Sequence, residues 1–213
     1  MAEYVLYCMA QSGHSYKAAL MLELCGADWE PKWVDFFNGE TRSEEFRSTL
    51  NEMGEVPVLV HDSKVLTQSG VILDYLVEKF GRFGWSDEDE RREVLRWTIF
   101  DNQKISGVAG PLRFLRLFAK TGETDVTKFL DGRLKGALAI LDKHFEKNAF
   151  AVGTHPTTAD FSLCGYLFVH EEIGTDFAPY SNVMAWLERI KNLPGWKHPY
   201  DLMPGHPLPD ATK

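Results

Sequence analysis

Asn51-Glu52-Met53-Gly54-Glu55-Val56-Pro57-Val58-Leu59, followed by Leu66-Thr67-Gln68-Ser69, is the stretch that decides how this chain is read. Val56 to Val60 is apolar throughout and reads as a strand broken only by Pro57. A proline within a strand cannot donate its ladder hydrogen bond. One explanation is a cis peptide that turns the backbone of Val56 outward, so that its N–H and C=O can pair with an extended ligand as an added strand would. The other is an edge-strand proline with no further role. His61-Asp62-Ser63 is a turn, and Lys64 to Thr67 is the partner strand of a hairpin. At Gln68-Ser69 the strand gives way to a helical pattern. A helix N-terminus with free N–H groups and a serine hydroxyl suits a carboxylate, and the Gln68 amide can hold a second group of the same ligand. A plain capping serine is the simpler alternative.

Working outward from that stretch, Tyr4 to Cys8 reads as a buried strand and Ser15 to Cys25 as a helix, with Gly26 at its C-cap. Trp29 to Asp35 is a second strand, placed at a sheet edge by Pro31. Ser43 to Leu50 is a short helix with Ser43 as N-cap, and Ser69 to Phe80 a longer one carrying Ile72, Tyr75, Leu76 and Phe80 at helical spacing. The order is βαβαββα, an α/β domain over residues 1–81. After Gly81 no strong strand candidate remains. Asp87 to Arg92 is a charged helix start, with acidic residues at the positive end of the helix dipole. Gly107 to Pro111 should kink or split the first long helix. Asp125 to Lys147, Thr157 to Glu172 and Ser181 to Asn192 are further helices, so residues 87–200 form an all-α domain. The Pro-rich residues 201–213 read as an extended surface tail.

Composition narrows the class of function. The chain has 213 residues, and six Trp and fourteen Phe are enough to build a substantial core. A formal net charge of −8 argues against nucleic acid as a partner. No apolar run approaches the ~18 residues of a membrane span, and Met1-Ala2-Glu3-Tyr4 lacks the basic start of a secretory signal. Cys8, Cys25 and Cys164 are few, distant and odd in number, which fits a reducing cytosol and neither a disulfide framework nor a metal site.

The segment between the first strand and helix, Tyr7-Cys8-Met9-Ala10-Gln11-Ser12-Gly13-His14-Ser15-Tyr16-Lys17, completes the set. Ser12 falls just before the helix, where a hydroxyl and backbone N–H groups can stabilise a thiolate. Alternatively, Ser12 or Ser15 merely caps the helix.

Together these segments resemble the cytosolic glutathione transferases, in a bacterial-type form. The N-x-x-x-x-V-P-x-L and Q/E-S elements match in order and spacing. Gly153-Thr154-His155-Pro156-Thr157-Thr158-Ala159-Asp160-Phe161 is similar to the family's G-x-x-x-T-x-A-D capping element, a structural feature with Thr157 as N-cap and Asp160 at N3. The resemblance implies a thioredoxin-like N-terminal domain followed by a helical bundle. It implies glutathione as co-substrate, held by Val56, Pro57, Gln68 and Ser69 with His14 nearby, and no metal. It implies a cytoplasmic homodimer acting in detoxification on a small, largely apolar electrophile bound between the halves. Phe100, Gln103, Lys104 and Arg113 are candidates to face that electrophile; the alternative for Arg113 is a surface or interdomain salt bridge.

Family classes differ in the group that activates the thiol. Ser12 lies where the serine classes place their serine, and the stretch Leu6-Tyr7 to Ser15-Tyr16-Lys17 resembles the zeta-class segment L-Y-x-x-x-x-S-S-C-x-W-R. Gly13 and His14 replace that segment's second serine and its cysteine, which puts the zeta-class isomerase activity in doubt. Tyr7 lies at the strand position used by the tyrosine classes, so Ser12 and Tyr7 both stand as catalytic candidates. Other readings are a glutathione-dependent thiol–disulfide reductase, which needs a cysteine near Ser12, and a non-catalytic ligand-binding protein of the same fold.

Overall fold

The structure is a computed structural model that describes residues 2–208. It divides into two units: residues 2–81 together with 194–208, and residues 82–193.

The first unit is built on a four-stranded sheet of β1 (Tyr4–Cys8), β2 (Trp29–Trp33), β3 (Val58–His61) and β4 (Lys64–Thr67), in the order β2-β1-β3-β4. β2 lies parallel to β1 at the edge, where Pro31 is tolerated; β3 and β4 are antiparallel to their neighbours. Helix α1 (Gly13–Cys25) begins two residues earlier than its hydrophobic pattern suggests and ends at Gly26 in the left-handed conformation that a Cβ disfavours. α2 (Glu44–Thr49) is capped by Ser43, whose Oγ accepts from the Phe46 N–H at 3.1 Å. α3 (Ser69–Phe80) completes βαβαββα.

Strand alternation puts Tyr4, Leu6 and Cys8 on one face of the sheet and Tyr7 on the other. On that second face Val34, Phe46 and Val58 form an apolar cluster, joined by Tyr7, Leu50 and Val56. β3 starts at Val58, one residue after Pro57. The proline therefore precedes the ladder instead of interrupting it, and the strand expected over 56–60 begins two residues later and runs one residue further, to His61.

The second unit is helical. α4 (Glu88–Phe100) is capped by Asp87, whose carboxylate accepts from the N–H groups of Asp89 and Glu90. The chain then stays helical to Phe118 through a π-helical turn (Asp101–Ile105), α5 (Ser106–Arg113) and a second π turn (Phe114–Phe118). Of the kink or split expected at Gly107 to Pro111, the split is absent. Pro111 lacks an N–H and its ring crowds the carbonyl of Gly107; π turns on both sides of α5 re-route the ladder instead. α6 (Asp125–Phe145) follows. The helix expected over 157–172 is in three pieces: α7 (Thr158–Cys164), a 3-10 turn (Leu167–Val169) and α8 (His170–Ile173), with the break at Gly165, a poor helix former. α9 (Ser181–Lys191) closes the unit. Thr157 caps α7, and the fully buried Asp160 accepts from the N–H groups of Thr157 (2.9 Å) and Ala151 (2.8 Å) and from Trp186 Nε1 (2.9 Å). Burial nevertheless pushes its carboxyl up to about 6.

Residues 194–208 return to the first unit, and the expectation of an extended surface tail is corrected there. They include α10 (Pro199–Leu202), and Leu202 and Met203 are buried. Polar groups of the first domain hold the segment. The buried Tyr16 hydroxyl donates to the Lys197 carbonyl at 2.8 Å, and the Ala10 N–H to Pro204 at 2.8 Å. Residues 209–213 of the expected tail lie outside the described residues.

Candidate functional site

Sheet register brings the singled-out segments to one end of the sheet. Tyr7 pairs with Val58 and Val58 with Thr67. The end of β1, the start of β3 and the end of β4 therefore lie side by side. The segments that continue from them are residues 9–12, Val56-Pro57 and Gln68-Ser69 respectively.

The Val56–Pro57 peptide is cis. Among the described residues, neither the N–H nor the C=O of Val56 has a hydrogen-bond partner, while its side chain packs in the apolar cluster. The approach is fixed by the buried Asn51. Its side chain donates to the Glu55 carbonyl at 2.9 Å and accepts from the Met53 N–H at 3.0 Å. Gly54 is required at this turn: its φ is 69°, and a Cβ would lie 2.8 Å from the Thr41 carbonyl oxygen.

Gln68 is the N-cap of α3, at φ 66°, and is exposed. Its Nε2 donates to Glu55 Oε2 at 3.0 Å and approaches Met53 Sδ at 3.2 Å, which ties the start of α3 to the cis-proline loop. Ser69 is the first residue of α3 and is buried. Its Oγ lies 3.4 Å from Nδ1 of His14, so the N-termini of α1 and α3 meet through these two side chains.

His14 is half-buried, and a third group reaches it: Lys17, 0% exposed, with Nζ 3.3 Å from Nδ1. A lysine ammonium only donates, so Nδ1 accepts and the neutral ring carries its proton on Nε2. Burial, with Lys17 beside it, pushes the His14 pKa down to about 3. At neutral pH the ring is a fixed Nε2–H donor.

Ser12 is the buried N-cap of α1, its Oγ accepting from the Ser15 N–H at 3.1 Å. The cap uses a lone pair and leaves the hydroxyl proton available to donate. Capping and thiol activation are therefore compatible in one serine. Tyr7 packs among the cluster side chains, with Lys32 Nζ 5.5 Å from its ring centroid. Cys8 is buried, and desolvation pushes its thiol up to about 12.

Of the helical-unit candidates, Phe100 is half-buried at the end of α4, and Gln103 and Lys104 are exposed on the first π turn. Arg113 stands apart from them. It is 2% exposed, its Nε donates to Glu172 Oε2 at 2.9 Å, and its guanidinium lies over the Phe118 ring. These contacts place it in a buried salt bridge inside the helical unit, which is neither the surface pair nor the interdomain pair expected as its alternative. No group of His, Cys, Asp and Glu able to hold a metal ion occurs among the described residues, and no helix there is long and apolar enough to cross a membrane.

A βαβαββα domain with a cis-proline loop beside two helix N-termini, followed by an all-helical domain, defines a two-domain protein of thioredoxin-like fold. Comparison with known proteins agrees. Residues 2–78 match the family model "Glutathione S-transferase, N-terminal domain" and residues 108–194 its C-terminal counterpart. The solved glutathione S-transferase from Pseudomonas fluorescens is 30% identical, with a TM-score of 0.88 over 94% of this chain and 100% of that one. A possible glutathione S-transferase from Rhodopseudomonas palustris is also 30% identical, with a TM-score of 0.86 over 92% and 90%. Glutathione S-transferase F14 of Arabidopsis thaliana is 29% identical over 204 residues, 86% of this chain and 80% of the relative. The chain belongs to the glutathione S-transferase family.

Proposed function

We propose that the protein is a glutathione transferase that binds glutathione across the Val56 backbone and the N-terminus of α3, and activates its thiol at Ser12. The observation that carries this reading is the convergence of three sequence segments through side-chain contacts: Gln68 to Glu55 at 3.0 Å and Ser69 to His14 at 3.4 Å. In this reading Val56 pairs with the cysteinyl backbone, with Pro57 fixing the turn. Gln68 and Ser69 hold the γ-glutamyl end, and His14 donates through Nε2–H. The Ser12 hydroxyl and the α1 N-terminus favour the thiolate, which attacks a small, largely apolar electrophile. Tyr7 is the second candidate for that donation. Phe100, Gln103 and Lys104 are proposed electrophile contacts. The homodimer and cytosolic setting implied by the family belong to the same reading; sedimentation and cell fractionation check them.

The high pKa of Cys8 speaks against a thiol–disulfide reductase, because a thiol protonated up to about pH 12 is no nucleophile under physiological conditions. Thiolate absorbance of bound glutathione, followed against pH, tests the transferase reading. The expected result is a bound thiol titrating well below the ~8.5 of a free thiol. If it titrates no lower, the protein is a non-catalytic glutathione-fold binder.

A further inference from the structure

The segment that returns to the first unit lies beyond residue 194, outside the region matched to the family, and it meets the chain two residues before Ser12. The Ala10 N–H donates to the Pro204 carbonyl at 2.8 Å, and Gln11 Nε2 to the Gly205 carbonyl at 2.6 Å. Ala10 and Gln11 are both buried. The Ser12 N–H in turn donates to the Met9 carbonyl at 3.0 Å, so residues 9–12 form one tight turn into α1. Two of its four residues are hydrogen-bonded to the returning segment.

The segment is anchored upstream of that contact and folded on itself downstream of it. Upstream, Leu202 and Met203 are buried and the Tyr16 hydroxyl of α1 holds Lys197. Downstream, His206 stacks on Tyr200 with ring centroids 3.6 Å apart and planes 4° from parallel. At the centre, Gly205 has φ 95°, and a Cβ there would lie 2.6 Å from Nε1 of Trp33 at the end of β2. Glycine is thus needed both for the backbone conformation and for the close approach to the indole.

We propose that residues 204–206 are a positioning strap for the thiol site: by holding Ala10 and Gln11 they fix the turn that aims Ser12. The proposal rests on Ser12 as the activating group. Without the strap the buried Ala10 N–H and the Gln11 amide lose these two hydrogen bonds, and the turn rearranges to replace them. Ser12, next in the chain, moves with it.

Two variants test this: the chain ended after Met203, and full-length Gly205→Ala, which leaves α10 intact. Two readouts are taken on each. Amide hydrogen exchange of residues 10–13 in the glutathione-free protein reads the strap directly; faster exchange at Ala10 and Ser12 is expected in both variants. The apparent pKa of bound glutathione reads its consequence. A rise of about one unit is expected, with kcat at pH 7 falling about threefold as the thiolate fraction drops. A tail that only adds stability would lower the melting temperature and leave the thiol pKa where it was. Unchanged exchange, or unchanged thiol pKa in a folded variant, overturns the proposal. If the wild-type thiol is itself not depressed, the transferase reading fails, and the exchange measurement still decides whether the strap holds the turn.

Discussion

Replacing Ser12 by alanine separates the cap that the structure shows from the thiol activation proposed for the same hydroxyl. The first is the cap. Ser12 Oγ accepts from the Ser15 N–H at 3.1 Å, and removing such a cap costs about 1 kcal/mol, or about 2–4 °C in melting temperature for a chain of this size. The second is the hydrogen bond to sulfur. A bond to a charged acceptor is worth about 1.5–3 kcal/mol, and at 1.36 kcal/mol per pKa unit its loss raises the bound thiol by about one to two units. Starting from a bound pKa of about 6.5, the thiolate at pH 7 falls from about three-quarters to between about a quarter and about 3%. Turnover at pH 7 should therefore drop roughly 3- to 25-fold. Above about pH 9.5 the variant is mostly thiolate as well and the gap should narrow, less any loss from misplacement. The assay is kcat against pH with a chromogenic electrophile, alongside thermal unfolding. Intact turnover at pH 7, or an equal loss at every pH, refutes the assignment. A pH-dependent loss in Tyr7→Phe instead transfers the role to Tyr7.

Three further outcomes are expected. Arg113→Met breaks a buried ion pair, leaving Glu172 partly exposed; a loss of about 3 kcal/mol should show in unfolding, with Michaelis constants of the folded enzyme unchanged. An altered substrate profile at unchanged stability would return Arg113 to the electrophile site. Asp160→Ala removes the acceptor of four buried hydrogen bonds, and a loss of about 3 kcal/mol or more is expected in denaturant unfolding. The pH dependence of stability carries two opposed slopes. Asp160, raised to about 6, holds its proton more tightly folded than unfolded; its contribution is fully present below its ordinary value near 3.8 and is lost as pH rises through about 6. His14, lowered to about 3, does the reverse: its contribution is full above 6.5 and is lost as pH falls toward 3. Relative to wild type, His14→Gln should therefore make stability fall less on acidification from pH 6.5 to 4. Identical slopes for the variant and the parent would show that His14 is not held neutral.

Local signals in the sequence carried most of the first domain. Pro31 marked the edge strand, Ser43 and Gly26 the helix ends, and the turn at His61-Asp62-Ser63 the hairpin. Each states a backbone requirement within a few residues. What escaped depends on partners far along the chain. Lys17 sits three residues after His14, a spacing that makes them neighbours on a helix, but nothing local says that a lysine will be buried. Gln11 and Gly205 are 194 residues apart, and a proline-rich segment reads as surface unless its receptor is known. Arg113 was legible only as a choice between pocket and salt bridge, since Glu172 is 59 residues away. The π turns left no signal beyond Pro111, which a straight helix would not tolerate.

The placement of charge explains why the site is built from dipoles. Glutathione carries carboxylates and, once activated, a thiolate, yet the chain has a formal net charge of −8. The overall field therefore gives such a ligand no favourable steering, and attraction must be local. In the proposed reading it comes from the N-termini of α1 and α3, where the peptide dipoles act as partial positive charge. Lys17 lies behind the junction of the two, linked through His14 to Ser69. A solvent-exposed lysine there would be screened by water and salt; a buried one keeps its field. A neutral His14 between Lys17 and Ser69 adds a directed donor without adding a titrating charge. His14 thus keeps its neutral form across the pH range in which the thiol of the proposed ligand would ionise.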